Sequence, residues 1–366
     1  YNLDGTYMFG NSIKTGYYQK SYKLNTISWE KARTWGIGID ASLFNAIDLS
    51  VDYYDRKTTG IIMDVPVPNE FALDAYKDNV GAMVNRGVEV TLSYHKQWGD
   101  WKFGATGNFA YNKNELLDLG GVDSMVDPND KYKRRQVGAR LNSFYAYKAD
   151  GFFNSDEEAQ AWMDKYASQE GYPFGTNKFK GGDLIYQDTN NDGKMTEDDR
   201  VLLGSTDPAW TFGLNLNAGY KGFDLSLMFS GAADVSRMFA QPGDFNGDMS
   251  HPTTAWLDAW TPENKDAKMP RVAYEKKSPS HPWNNMSSFW IQNASYVRLQ
   301  NLQLGYTFPT NWLKVLHVET LRVYYSAENL FTIDNMMVNI DPESMDTNGY
   351  GYPRLRTHSF GVSLTF

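Results

Sequence analysis

The 366-residue sequence contains no cysteine, which removes disulfides, thiolate metal sites and cysteine nucleophiles together and leaves the redox compartment open. It also lacks any uncharged run approaching the ~20 apolar residues of a membrane-spanning helix, so a helical membrane protein is excluded. Basic residues are outnumbered 35 to 44 by acidic ones, for a net charge of −9, and the densest basic stretch is the short Lys131–Arg135 segment. No nucleic-acid partner is expected from that balance. Histidines are few and scattered, at His95, His251, His281, His317 and His358, with no nucleophile elbow, H-E-x-x-H pattern or phosphate loop beside them. The carboxylates are numerous but unpatterned, so the chain is not expected to be an enzyme. Its first residues, Tyr1-Asn2-Leu3-Asp4, carry neither a basic nor an apolar leader, so a secretion signal is expected upstream or already removed.

Aromatic residues are abundant, at 15% with 24 Tyr and 11 Trp, and the dominant periodicity is alternation of apolar and polar residues. Nine segments carry it, at roughly 33–42, 47–57, 84–96, 101–113, 209–219, 222–232, 294–308, 319–330 and 355–366. In the first four the apolar row reads Trp35, Ile37, Ile39, then Leu49, Val51, Tyr53, then Val88, Val90, Leu92, Tyr94, then Phe103, Ala105, Phe109, Tyr111. The later rows run through Phe212, Leu214, Leu216, through Phe223, Leu225, Leu227, Phe229, and through Leu302, Leu304, Tyr306, Phe308. They close with Leu321, Val323, Tyr325 and with Phe360, Val362, Leu364, Phe366. Charges such as Asp40, Asp48, Asp52, Glu89, Lys102, Asp224 and Arg322 fall only on the opposite faces.

A soluble sandwich would segregate its faces in the same way. Two features favour lipid: segments of about ten residues cover the roughly 25 Å apolar band of an outer membrane, and aromatics gather at segment ends as interfacial girdles do. The girdle residues are Trp35, Tyr53, Tyr94, Trp101, Tyr111, Tyr220, Tyr306, Phe308 and Phe366. The fold expected is all-β, an antiparallel transmembrane β-barrel section with about nine spanning strands.

Connection lengths give an orientation. Those at Leu43–Ala46, Gln97–Asp100, Tyr220–Lys221 and Thr310–Val318 are short, whereas 58–83, 114–208, 233–293 and 331–354 are long. Bacterial barrels keep short turns periplasmic and long loops outside, so the long loops are expected to be extracellular and the C-terminus periplasmic. Short and long alternate throughout, so segment 139–153 cannot be a lone crossing; it is expected to extend above the membrane or lie against the extracellular mouth. Residues 1–31 read as loop or partial strand ahead of a barrel section at 32–366. Nine strands leave two unpaired edges, so further strands must come from elsewhere.

In order along the chain come Trp29-Glu30, Asn85-Arg86-Gly87-Val88-Glu89, Ser143-Phe144-Tyr145-Ala146-Tyr147, Asp150-Gly151-Phe152-Phe153, and Gly182-Asp183-Leu184-Ile185-Tyr186 with Asp188–Asp199. Then follow Tyr220-Lys221-Gly222-Phe223-Asp224, Ala294-Ser295-Tyr296-Val297-Arg298-Leu299, Glu328-Asn329-Leu330-Phe331, Asp341-Pro342-Glu343 and Arg356-Thr357 to Phe366. This series resembles the C-terminal portion of SusC/RagA-type TonB-linked outer-membrane transporters. The resemblance implies a 22-stranded barrel filled by an N-terminal plug and energised through TonB, which imports glycans or peptides captured by a SusD-like surface lipoprotein. Plug, TonB-contacting segment and early strands are absent from these residues, as expected of a truncation or of one piece of a split polypeptide.

Two sets of residues are candidate sites. Asp188, Asn190, Asp192, the Lys194 carbonyl and Asp199 follow the D-x-N-x-D-G calcium-loop spacing, with Asp in place of Glu at the twelfth position, and suggest a structural calcium ion. The alternative is an Asp/Asn-rich turn closed by side-chain-to-backbone bonds. Trp256, Trp260, Trp283 and Trp290, with Phe289, could stack on sugar rings or meet the partner lipoprotein; packing within their own loop is the alternative. Ser155–Tyr166 reads as a surface helix capped by Ser155. The rival to the importer is a secreted calcium-binding β-rich carbohydrate-binding or adhesion module.

Overall fold

A computed structural model of the chain describes residues 2–19, 27–65, 67, 69–71, 74, 76–127, 130–239, 254–273, 278–281, 284–314, 317–337, 340–344, 352 and 354–366. Strands β1 (Asn2–Phe9) and β2 (Ser12–Tyr18) form a hairpin, followed by β3 (Lys31–Leu43), β4 (Ile47–Val65), β5 (Tyr76–Trp98) and β6 (Trp101–Leu119). Short elements come next: β7 (Ser124–Asp127), β8 (Asp130–Gln136), β9 (Ser143–Tyr147), β10 (Ala149–Phe152), α1 (Asp156–Tyr166), β11 (Leu184–Tyr186) and β12 (Arg200–Ser205). The hairpin of β13 (Trp210–Tyr220) and β14 (Phe223–Ala233) precedes β15 (Ser236–Met238) and β16 (Ile291–Asn293). The chain closes with β17 (Tyr296–Thr307), α2 (Thr310–Leu313), β18 (Thr320–Asp334) and β19 (Thr357–Thr365). Among the described residues no helix is long and apolar enough to cross a membrane.

The nine alternating segments are the nine strands of one antiparallel sheet, in the order β19-β18-β17-β14-β13-β6-β5-β4-β3. Two-residue turns set the pairing between chain neighbours. Phe44 and Asn45 both adopt positive φ (55° and 49°), as do Lys221 and Gly222 (44° and 92°), the geometry whose twist matches the strands it joins. Tyr220 therefore faces Phe223 directly, and the β13–β14 pairing continues without a slip to Trp210 opposite Ala233. The β14–β17 and β17–β18 ladders each contain one bulge, next to Leu299.

Strands β4, β5 and β6, of 19, 23 and 19 residues, run well past the alternating segments, so the connection placed at 58–83 narrows to a tip at 66–75. Alternation fades there because neither face of those extensions needs to be uniformly apolar. Segment 139–153 supplies β9 and β10, which pair with β12 and β11 respectively and not with the nine-stranded sheet. The Ser155 side chain accepts the Glu158 N–H at the start of α1, and Ala159, Met163 and Tyr166 form its buried face.

Backbone contacts divide the chain into two compact units: residues 1–37, 53–87 and 113–141, and residues 38–52, 88–112 and 142–366. The first holds a small core of Met63, Leu116 and Leu119 with Ile61, Val80, Met83 and Leu141 against it. The second holds the hairpin of β13 and β14, strands β17 to β19, and the packed region around α1.

Candidate functional site: the two-faced wall and its packed loops

Register converts the alternation into rows that cross the strands. One row runs Phe103, Ala218, Leu225, Leu304, Tyr325, Phe360 through β6, β13, β14, β17, β18 and β19. The adjacent row runs Lys102, Gly219, Asp224, Gly305, Tyr324, Gly361 and lies on the other face. The apolar row is open to its surroundings: Phe103 is 39% exposed, Leu304 46% and Phe360 85%. A sandwich would bury such a row under a second sheet, and a bare apolar surface of this extent marks a contact with lipid or another protein.

Aromatic rings gather at the turn end of these strands. Trp101 stacks on Tyr220 with centroids 4.2 Å apart, Phe223 lies 4.5 Å from Tyr306, and Tyr306 lies 4.9 Å from Phe308. Towards the opposite ends, Tyr111 meets Trp210 at 4.1 Å and Trp35 meets Tyr53 at 5.4 Å. Amphipathic rings at both margins of an apolar band are what a membrane interface favours. An open cavity of about 690 Å³ is lined by the polar His95, Gln97, Lys102, Asn217, Asp224 and Gln303 together with Phe103, Ala218 and Leu225.

In the metal-loop candidate, Asp188 Oδ2 accepts the Gly193 N–H at 2.9 Å, Asn190 Oδ1 that of Asp192 at 3.0 Å, and Asp192 Oδ1 that of Lys194 at 2.7 Å. Gly193 adopts a φ of +79° at the sixth position, which the tight turn requires. Asp199 is fully buried, and its two oxygens accept the N–H groups of Thr189 and Thr196, both at 2.8 Å. Asp188 Oδ1 is buried with no hydrogen-bond partner. Only the first position thus keeps an oxygen without a partner, while the third and fifth accept hydrogen bonds within the turn and the twelfth closes the loop through backbone bonds. Among the described residues no group of three or more His, Asp or Glu stands ready-arranged around a metal.

Of the tryptophan candidates, Trp260 packs against Gly181 and Gly182, and Trp290 is 1% exposed, its Nε1 donating to Ser280 O at 2.9 Å. Both rings are buried within the loop region, which leaves neither with a face for a sugar to stack on. Trp256 is half-buried, and Trp283 lies outside the described residues.

The centre of this packed region is a carboxylate that sequence reasoning passed over. Asp183, fully buried, accepts Ser278 Oγ at 2.6 Å and Ser280 Oγ at 3.0 Å on one oxygen. Its other oxygen takes the Lys180 N–H at 2.9 Å and Arg271 Nη2 at 3.0 Å. One side chain thereby joins its own loop to Arg271, Ser278 and Ser280, 88 to 97 residues further along the chain; the signal was its place in the Gly182–Tyr186 stretch, but spacing alone gives no partner. Tyr147, beside this region, has its phenol pushed up to about 12 by burial, against the opposing pull of Arg200, whose guanidinium lies 5.0 Å over the ring.

Residues 2–233 match the family model described as TonB dependent receptor-like, beta-barrel. The chain is 26% identical to TonB-dependent receptor P3 of Formosa agariphila over 98% of its own length and 36% of the relative's. It is 28% identical to TonB-dependent receptor SusC of Bacteroides thetaiotaomicron, over 98% of the chain and 34% of SusC. Among solved structures, the RagAB peptide importer in its open-open state superposes with a TM-score of 0.71 at 25% identity, covering 99% of this chain and 37% of that one. The chain therefore spans about a third of the length of the relatives it matches.

Proposed function

The chain belongs to the TonB-dependent receptor β-barrel family, and from that premise we propose that it forms part of the wall of an outer-membrane nutrient importer powered through TonB. The observation that carries this reading is the uncovered apolar row from Phe103 to Phe360, which calls for lipid outside and leaves the polar row from Lys102 to Gly361 to face a solute path. A Lys or Arg at the lipid-facing midplane costs about 2–4 kcal/mol, which is why the rows segregate so strictly.

Under this reading the two-residue turns at Phe44-Asn45 and Lys221-Gly222 are periplasmic and the long connections extracellular. The rest of the wall, the plug and the TonB contact belong to polypeptide outside these residues. A SusD-like surface lipoprotein would deliver the substrate, a glycan or peptide, to the extracellular side. The chain's own residues supply an apolar belt for lipid, a polar inner face and a packed loop region held by Asp183; catalysis has no part in it. The test uses the full-length receptor in its own outer membrane, where deletion should abolish growth on one oligomeric nutrient and affinity capture should recover a surface lipoprotein. Unchanged growth across glycan and peptide sources would contradict import.

A second reading concerns the 188–199 loop, which we propose holds a structural calcium ion through Asp188, Asn190, Asp192 and the Lys194 carbonyl, with Asp199 closing the loop. The orphaned Asp188 Oδ1 supports it. The ion would pin the connection between β11 and β12, and no transport step passes through it.

A further inference from the structure

Between β18 and β19, residues 340–344 are fastened to the polar face of the wall by a closed set of charges. Arg298 on β17 is only 2% exposed. It stands opposite Ser230 of β14 and Thr332 of β18, one position before the apolar Leu299, which pairs with the outward Phe229. That placement puts Arg298 on the polar face.

All three guanidinium nitrogens are used. Nη2 donates to Asp341 Oδ1 and Nη1 to Glu343 Oε2, both at 2.7 Å, while Nε donates to Thr332 Oγ1 at 3.0 Å. Arg354 closes the set from the far side, Nε on Asp341 Oδ2 at 3.2 Å and Nη1 on Glu343 Oε2 at 2.7 Å. The Tyr296 hydroxyl donates to Glu343 Oε1, and the Glu343 N–H donates to Asp341 Oδ1 at 2.9 Å. Pro342, between the two acids, is buried. Two cations and two anions balance, and the buried member, Arg298, is thereby compensated, the condition under which a charge out of water is tolerated. On the approach, Met336 packs against Ala232, Val235 and Ala294, and the Met337 N–H donates to Gln292 Oε1 at 2.8 Å.

We propose that Arg298 is a positioning residue that folds residues 340–344 inward as a strap across the polar face, so that this segment is a fixed part of the wall. Lifting the strap would separate Arg298 from both carboxylates at once, breaking two charge-assisted hydrogen bonds together. Opening on this side therefore moves strap and wall together. That the strap narrows a solute path rests on the import reading; its attachment does not.

The test is the labelling rate of a single cysteine at Ser344→Cys with a membrane-impermeant maleimide, in the full-length receptor with any other cysteines removed. Arg298→Met should raise the rate about tenfold or more, because a locally released segment exchanges freely with solvent. Arg298→Lys, which cannot bridge both acids, should fall between, and a cysteine at the exposed Tyr352 should react equally fast in every background. An unchanged rate at 344 in a folded Arg298→Met receptor overturns the proposal. If that variant does not fold, Arg354→Gln substitutes for it: a several-fold rise is expected, and no rise overturns the proposal equally. The readout is independent of uptake, so a receptor that labels as expected but imports nothing contradicts only the import reading.

Discussion

Arg322 of β18 reaches across β17 to form a bidentate ion pair with Asp224 of β14, Nη2 to Oδ2 at 2.6 Å and Nε to Oδ1 at 3.1 Å. The crossing is possible because the residue between them is Gly305. A Cβ at that position would sit 2.5 Å from Arg322 Nη2 and 2.6 Å from Asp224 Oδ1. The polar face is thus smooth where a side chain must lie flat over a neighbouring strand.

Gly305→Leu should therefore break the pair by occupation, without touching either charge. Because both partners are partly exposed, the pair itself is worth about 0.5–1 kcal/mol, and a double-mutant cycle of Asp224→Asn with Arg322→Met should return a coupling of that size. Gly305→Leu should cost more than either single change, since it displaces both charged side chains at once and adds bulk where none is accommodated. Denaturant unfolding of the detergent-solubilised receptor, followed by its heat-modifiable gel mobility, measures all four.

Asp183→Ala should loosen the packed loop region while the wall persists. Removing one partner of a buried pair leaves Arg271 uncompensated, a loss of about 3–5 kcal/mol, and frees Ser278 and Ser280 as well. Limited proteolysis should cut the connection between β15 and β16, which carries Arg271, Ser278 and Ser280, faster in the variant, with the strand content by circular dichroism unchanged.

Alkaline pH should act on the same region. Burial holds the phenols of Tyr147 and Tyr172 up at about 12. In an unfolded chain a phenol ionises near pH 10, so between about 10 and 12 the folded region holds protons that the unfolded one has released. Stability is therefore fully present below about pH 10 and falls as pH rises through that window, by up to about 1.4 kcal/mol per unit of pKa difference for Tyr147 and by less for the half-buried Tyr172, where solvent screens the effect. Tyr147→Phe should make the loss shallower; protease sensitivity against pH reads it.

The calcium proposal predicts that metal analysis of the purified receptor shows about one equivalent fewer calcium in Asp188→Ala and in Asp192→Ala than in the parent. Equal content in all three would leave the loop closed by its own backbone bonds.

The nine wall strands were legible in the sequence because a lipid-facing row tolerates no charge anywhere along it, so Ile37, Leu92, Leu227 and Val362 announce one face unambiguously. Strand ends were less legible: beyond Lys57 and before Val84 both faces can be mixed, and the period-two signal fades although pairing continues. The Trp260 and Trp290 rings carry no mark in sequence that separates a stacking platform from a packed core. Asp183, Arg298 and Arg322 were visible as charges, but their partners lie tens of residues away, and only the register of the folded sheet and its loops brings them together.

The most direct measurement of the central claim is a single-cysteine scan of β17 at Leu302, Gln303, Leu304, Gly305 and Tyr306. Each site is labelled with a fluorophore in the full-length receptor, reconstituted into vesicles with and without brominated lipid. A wall strand predicts alternation, with strong quenching at 302, 304 and 306 and little at 303 and 305. Quenching that is uniformly absent or does not alternate would contradict a lipid-facing wall and, with it, the import reading built upon it.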